Sequence, residues 1–552
     1  MSKNQGLGRP ALGERFALSL FRQMLKLPRG TQRYLIDKTV RIPMRDGVEL
    51  TAEHWAPIGD SLGTVMVQTP YGRNALWGAI YAAPYASRGY HVVLCSSRGT
   101  FGSDGEFDPM MSEVDDVADV SNWLRQQPWF RGRFAMVGAS YLGYTQYALL
   151  MDPPPELAAV VVQVGFHDLE ETLREGGALK LNDFLAWSEF VAHQERYGIL
   201  TGLIRLATVS RRIAPAWGSL PLGRGVDDVL GSSAPWFKRW LSHPDAADEF
   251  WAPVQLRAAL DRVKVPVLLH TGWMDIFLDQ TMEQYDHLSS RGVEVALTAG
   301  PWIHGDIEAK AAHQLVPETL QWLDTYVAGL PDEIRSAPVK IFVTGANQWR
   351  EYTQWPPLGR TIEFHPHADG SLHESHPGDG ALSFTYDPAA PTPTVGGRLL
   401  TSQGGYRNDG KLADRGDVLT FTSEPLQDAL EIGGRAELNL AHSSENGHAD
   451  LFVRISEVDR KGRSRNVVDG FVRLDGTSSD GSGDVRQIRI TFDPTAHQFG
   501  AGSRIRLFVA GGCFPRFDRN LGAGEDPLTA TSLSTSTRTI DLNKCTLSIP
   551  VV

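Results

Sequence analysis

From residue 35 onward, short unbroken apolar runs alternate with stretches of helical spacing. TVMVQTP (64–70), HVVLCSS (91–97), FAMVGAS (134–140) and AAVVVQVG (158–165) are apolar at successive positions rather than at every second one. Strands covered by helices on both faces have this pattern, so these runs predict a parallel sheet. VADVSNWLRQQ (117–127) and YTQYALLMD (144–152) between them have the spacing of crossover helices. Ahead of these, TVRIPMRDGVELTAEHWAP predicts two strands joined at Arg45-Asp46-Gly47.

The alternation breaks after Gly165. Residues 166–259 read as helices without a buried-strand run, and strands resume at VPVLLHTG (265–272) and VEVALTAG (293–300). A helical insertion within one α/β domain, folded over the carboxyl ends of the strands, is the simplest arrangement. After about residue 335, nine short strand runs with turn residues between them predict a β-sandwich of jelly-roll type. The expected organisation is a helical extension over 1–34, a catalytic α/β domain over 35–165 and 260–335, a helical cap over 166–259, and a jelly roll over 336–552. TSSDGSGD (477–484) reads as a polar loop within the last of these. In the first, GERFALSLFRQMLKL (13–27) has apolar residues at helical spacing with basic residues between them. Such a helix lies on a membrane or on the protein's own body, and the second is the expectation.

Composition narrows the function classes. The 552 residues fit about three or four domains. A net charge of −12 without a basic stripe argues against a nucleic-acid partner. Three scattered cysteines (Cys95, Cys513, Cys545) make neither a disulfide framework nor a zinc site. No apolar run is long enough for an integral membrane segment, and no apolar leader core stands at the start, so the expected location is cytoplasmic.

Candidate chemistry centres on Ser140. FAMVGASYLGYTQYALL reads strand, sharp turn, helix, with the serine at the bend between Gly138 and Gly143. Small neighbours let a backbone take that strained turn and expose the hydroxyl. The glycine after the serine comes one residue later than in G-x-S-x-G, and Leu142 occupies its usual place. Spacing alone is weak evidence: Gly59 to Gly63 matches G-x-S-x-G literally, and Gly476 to Gly481 repeats the spacing of the Ser140 site. The first joins two strands and the second lies in a polar loop, so context selects Ser140. A serine nucleophile needs a base and an orienting carboxylate. Asp275 and His304 each follow a buried strand directly, and the order Ser140, Asp275, His304 is that of an α/β-hydrolase sheet.

Residues 39–57, GASYLG, HTGWMDIF, GPWIHG and the C-terminal CFPRFDRN together resemble the CocE/NonD serine hydrolases, the group of cocaine esterase and X-Pro dipeptidyl-peptidase. The resemblance runs from residue 35 to 552 with the motifs in the family's order. It implies an α/β-hydrolase domain with an inserted helical cap and a C-terminal jelly roll. It also implies Ser140 as nucleophile, His304 as base and Asp275 as its partner. The oxyanion hole would combine the amide of Tyr141 with the phenol of Tyr71. The substrate pocket would take Trp187 and Phe277, with Phe166 and His167 where the chain leaves the sheet for the cap.

Other features read as structural. His365, His367, His373 and His376 flank a hairpin turn rather than forming a metal site, and neither metal nor cofactor is expected. Arg98 is expected to brace a loop with Asp104 and Glu106, Trp236 and Trp240 to fill the cap core, and Asp46 to serve its turn. The expected function is cleavage of a small-molecule ester or amide through an acyl-enzyme. The alternatives are X-Pro dipeptide release or α-amino acid ester hydrolysis, either needing carboxylates for a free ammonium. Glu170, Glu171, Glu175, Asp183 and Glu189 in the cap are the candidates. Non-catalytic carbohydrate or partner binding through the jelly roll is the alternative of another class. A homo-oligomer is compatible with the sequence and not required by it.

Overall fold

The unbroken apolar runs form the middle of a ten-stranded sheet in a computed structural model. The structure describes residues 6–331, 335–376, 380–474, 476 and 485–552, without the side chains of 199, 200 and 203. The polar stretch 477–484, and with it the Gly476–Gly481 spacing, lies outside the described residues.

The first strands are β1 (Tyr34–Pro43), β2 (Glu49–Pro57), β3 (Gly63–Thr69), β4 (Tyr90–Ser96), β5 (Phe134–Ala139) and β6 (Leu157–Gln163). A two-residue hairpin, β7 (Arg174–Glu175) and β8 (Ala178–Leu179), interrupts the helical insertion. The sheet resumes with β9 (Val267–Met274), β10 (Val295–Ile303), β11 (Val339–Val343) and β12 (Gln348–Tyr352). Their order is β1-β2-β4-β3-β5-β6-β9-β10-β11-β12, parallel from β4 to β11 and antiparallel at both edges. Every residue of β3, β4, β5 and β9 is buried, as burial on both faces requires. The first strand run after residue 335 pairs with this sheet. VKIFVTG contributes β11 to the catalytic sheet, where its buried and half-buried residues alternate just as they would at the rim of a sandwich.

α1 (Leu12–Met24) precedes the sheet. It docks through Leu18, Phe21, Leu25 and Leu27 but leaves Leu12, Phe16, Leu20 and Met24 in solvent, so docking on the protein body accounts for one face only. α2 (Ala75–Tyr81), α3 (Ala83–Ala86), α4 (Glu113–Arg125) and α5 (Tyr141–Leu150) connect the first strands. α6 (Leu169–Leu173), α7 (Leu181–His193), α8 (Ile199–Ala207), α9 (Val209–Trp217), α10 (Leu222–Leu230) and α11 (Pro235–Leu241) make up the insertion. α12 (Ala258–Arg262), α13 (Leu278–Ser290) and α14 (Ala312–Tyr326) complete the α/β layers. No helix among the described residues is long and apolar enough to cross a membrane.

The C-terminal region is all β among its longer elements. Twelve strands are connected here, among them the sixteen-residue strand Ser536–Val551, which bonds to 360–366, 381–386, 430–434 and 437–444. Leu438, Leu451, Ile490, Phe499, Leu507 and Leu547 fill the space between the two layers. The strands 371–373, 381–386, 430–434 and 495–499 were not legible as separate runs. Buried ion pairs join this region to the α/β layer. Arg398 meets Glu175, Asp279 and Asp493 at 2.6–2.8 Å, and Arg516 of CFPRFDRN meets Glu175 at 3.0 Å and Asp469 at 2.8 Å.

Candidate active site

Ser140 stands between β5 and α5 with φ 62° and ψ −122°, a left-handed conformation costly for a residue with a side chain. The surroundings enforce it. A Cβ on Gly138 would lie 2.3 Å from Cβ of Leu142, and one on Gly143 would lie 2.7 Å from Cα of Gly165. The late second glycine therefore sits where α5 crosses the end of β6, while Leu142 is a fully buried core residue. The amides of Gly143 and Tyr144 bond the Ser140 carbonyl, so the turn runs directly into the helix.

The carboxyl ends of β9 and β10 bring Asp275 and His304 together. Asp275 is fully buried; its Oδ2 accepts from the Phe277 amide at 2.8 Å and its Oδ1 lies 2.6 Å from His304 Nδ1. That contact puts the imidazole proton on Nδ1 and leaves Nε2 as the basic nitrogen. The Phe277 ring stands edge-on to His304, with centroids 5.0 Å apart.

Ser140 and His304 line one cavity of about 380 Å³ together with Tyr71, Trp187, Phe166 and Phe277. The Tyr71 hydroxyl receives the Trp187 indole N–H at 3.0 Å and interacts with the Ser140 side chain. Burial pushes its phenol well above the ordinary value, so the hydroxyl keeps its proton. Because Trp187 occupies an acceptor site on that oxygen, the O–H remains available as a donor. Trp187 is fixed in turn by stacking on Tyr141 and Trp240 at 6.3 and 6.1 Å. The Tyr141 phenol points elsewhere: it donates to Glu113 at 2.8 Å and accepts from the Met110 amide at 2.9 Å. Only its backbone N–H, at the first turn of α5, is free of an intrahelical partner by rule. A serine on a strained turn, a carboxylate-bound histidine and a buried phenol in one apolar pocket suit acyl transfer.

Residues 46–306 match the family model of X-Pro dipeptidyl-peptidase (S15 family), and residues 333–546 match that of the X-Pro dipeptidyl-peptidase C-terminal non-catalytic domain. The chain belongs to the S15-type CocE/NonD serine hydrolases. The cocaine esterase of Rhodococcus sp. (strain MB1 Bresler) is 28% identical over 543 residues, covering 89% of this chain and 93% of that one. Two solved structures share the fold. An α-amino acid ester hydrolase has a TM-score of 0.79 at 21% identity, covering 95% of this chain and 98% of that one. A CocE/NonD family hydrolase from Staphylococcus aureus has a TM-score of 0.69 at 18% identity, covering 94% of each chain.

Within this S15-type enzyme, eight of the nine expected site residues meet at the cavity or behind its lining. The exception is His167, which is corrected: it is fully buried and faces away, with Nδ1 3.1 Å from Gln284 Nε2. The chain turns between Phe166 and His167, so one side chain enters the cavity and the next enters the packing under α13. Arg98 is corrected as well, since its partners are Asp116 and Asp46, not Asp104 and Glu106. Trp236 and Trp240 are buried beside Trp187. His365 and His373 are paired across a hairpin, with His365 Nδ1 3.0 Å from the Cys545 carbonyl oxygen.

Four of the five cap carboxylates stand apart from the cavity. Glu170 pairs with Arg174, Glu189 with Arg205 and Arg212, and Glu175 with Arg398, Arg516 and Lys180, while Glu171 is exposed. Asp183 alone lines it, accepting from the Leu400 amide at 2.9 Å through Oδ1.

Several contributors escaped the sequence reading. Glu113 lies beneath Tyr141, held also by Gln68 at 2.6 Å; burial and the nearby Asp116 push its carboxyl up to about 7. In SEVDD it looks like one more acidic residue in a helix's first turn. Glu308, half-buried beside His304 and bonded by the Tyr81 hydroxyl, lines the cavity, as do Trp77 and Met110. Leu400, Thr401 and Ser402 close it from far along the chain, with no signal in their sequence.

Proposed function

We propose that this serine hydrolase cleaves carboxylic esters of small apolar acids through an acyl-enzyme. Ser140 attacks the carbonyl carbon while His304 Nε2 takes its proton, and Asp275 holds the imidazole and stabilises the resulting charge. The tetrahedral oxyanion receives hydrogen bonds from the Tyr71 phenol and the Tyr141 amide. His304 then protonates the departing alkoxide. Water, deprotonated by the same nitrogen, attacks the acyl-enzyme and frees the acid and Ser140. Residues 166–259 act as the cap, with Trp187, Phe166 and Phe277 forming the acyl pocket. The observation carrying this reading is the 2.6 Å Asp275–His304 bond in the same apolar cavity as the strained Ser140.

One observation favours a second acyl class. Oδ2 of Asp183 is buried without a hydrogen-bond partner among the described residues, so an α-amino acyl group could find one carboxylate there. The experiment compares p-nitrophenyl acetate and butyrate, phenylglycine methyl ester and Gly-Pro-p-nitroanilide with the wild type and Ser140→Ala. Ester turnover should dominate and fall by roughly 10⁴-fold or more in the variant. Faster phenylglycine ester cleavage that Asp183→Asn abolishes would establish the second class, and faster anilide cleavage would sink both. A fluorophosphonate should label the wild type at Ser140.

A further inference from the structure

The N-terminal helix presents two features that catalysis does not use. At a period of 3.6 residues, Leu12, Phe16, Leu20 and Met24 line one stripe of α1. They are 82%, 72%, 44% and 66% exposed, an apolar row facing solvent on a helix whose opposite side is already docked. Beside this row a second cavity of about 360 Å³ opens between α1, the chain leading into β1, and α3. Arg9, Arg15, Arg22 and Arg33 line it over a floor that includes Leu18 and Ile58. None of the four guanidinium groups is paired with a carboxylate among the described residues. The acid nearest in sequence, Glu14, is held by Lys38 at 2.6 Å.

The segment is built to stay in place. Gly8 and Ile36 exchange both backbone bonds at 3.0 and 2.8 Å, and the amides of Thr31 and Gln32 both bond the Ser87 carbonyl. The helix is therefore anchored at both ends, with its apolar row outward and arginines along one flank.

Charge selects the occupant. Residues 6–33 contain Arg9, Arg15, Arg22, Lys26, Arg29 and Arg33 against the single acid Glu14, in a chain whose net charge is −12. An anionic surface repels the molecule as a whole and attracts this end, which fixes the orientation of approach. Guanidinium groups bind phosphate oxygens through paired hydrogen bonds. An apolar helical row bordered by basic residues is the arrangement that lies in a membrane interface.

We propose that α1 and the arginine-lined cavity beside it dock the enzyme on an anionic phospholipid surface. The phosphate of a headgroup enters among Arg9, Arg15, Arg22 and Arg33, while Leu12, Phe16, Leu20 and Met24 enter the acyl boundary. The attachment is peripheral and reversible, and it places no segment across the bilayer.

The test is flotation of the full chain with vesicles of phosphatidylcholine alone or mixed with phosphatidylglycerol, at low and high salt. Sedimentation without lipid and thermal unfolding with inorganic phosphate accompany it. The expected result is binding only to the mixed vesicles, weakened by salt and roughly thirtyfold weaker in the Arg15→Gln/Arg22→Gln variant. Phe16→Ser/Leu20→Ser should weaken binding while restoring none of it at low salt. Both variants should keep wild-type ester turnover, which reports that they fold. Equal binding to both vesicle types, or to neither, would overturn the proposal. So would arginine-dependent stabilisation by phosphate without vesicle binding, which would assign the cavity to a free anion. A dimer that Phe16→Ser/Leu20→Ser dissolves, again without vesicle binding, would assign the row to self-association.

Discussion

Tyr71 shows how one residue's role depends on partners distant in sequence. Its phenol is a donor because burial keeps it protonated and the Trp187 N–H occupies an acceptor site on the same oxygen. Tyr71→Phe should lower kcat for p-nitrophenyl esters by about 10²–10³-fold with a small change in KM, the loss expected for one oxyanion donor. Trp187→Phe removes the N–H together with one ring of the indole that stacks on Tyr141 and Trp240. We expect it to cost at least about tenfold in kcat, the worth of the one hydrogen bond. Glu113 supplies a pH test on the same wall. Its carboxyl titrates near 7 in the folded protein and near 4.5 unfolded, so the native state holds a proton that the unfolded chain gives up. Its stabilising contribution is full below pH 4.5 and is lost as pH rises through about 7. Glu113→Gln should flatten that part of the stability profile in urea unfolding, because the amide stays neutral.

At the scale of elements, the turn at Ser140 was legible as a strand–helix junction, but the reason for its glycine spacing was not. Gly143 is required because α5 crosses β6 at Gly165, a contact between segments that the sequence does not juxtapose. Gly143→Ala should therefore destabilise the protein by about 1–3 kcal/mol in denaturant unfolding, the cost of an added methyl at a tight contact. The CFPRFDRN segment was legible as a motif and not as a device. Arg516 lies buried between Glu175 of the β7–β8 hairpin and Asp469 of the sandwich, and Arg398 links the same cluster to Asp279 on α13. α13 begins three residues after Asp275. Arg516→Met would take one cation from Glu175 and Asp469, which keep Arg398 and Arg454, at a cost of about 1.5–3 kcal/mol. Turnover should fall with it, because the hairpin, the sandwich and the segment carrying Asp275 share this cluster.

Across the whole molecule, acid stability follows from histidines folded away uncharged. Burial lowers His54, His167 and His442 from 6.5 to about 3 and His91 to about 4. Below pH 6.5 the unfolded chain takes up protons that the native state refuses, so each group removes up to about 1.4 kcal/mol per pH unit until its own folded value is reached. The histidine contribution should be intact above pH 6.5 and fall toward pH 4, so His54→Gln should be less destabilised than the wild type by acid over that range in urea unfolding. The sequence by itself determined the buried strands, the helical insertion, the strand-rich C-terminal half and the Ser140 turn. Each of these is written in local periodicity or in a motif whose spacing the backbone geometry dictates. Only the tertiary structure decided that β11 joins the catalytic sheet, that His167 turns away while Phe166 turns in, and which carboxylates remain free of arginine partners. It alone brought Leu400, Thr401 and Ser402 to the cavity and left the apolar row of α1 in solvent. Those outcomes rest on contacts between segments far apart in the chain, and no local pattern encodes which side chains will meet there.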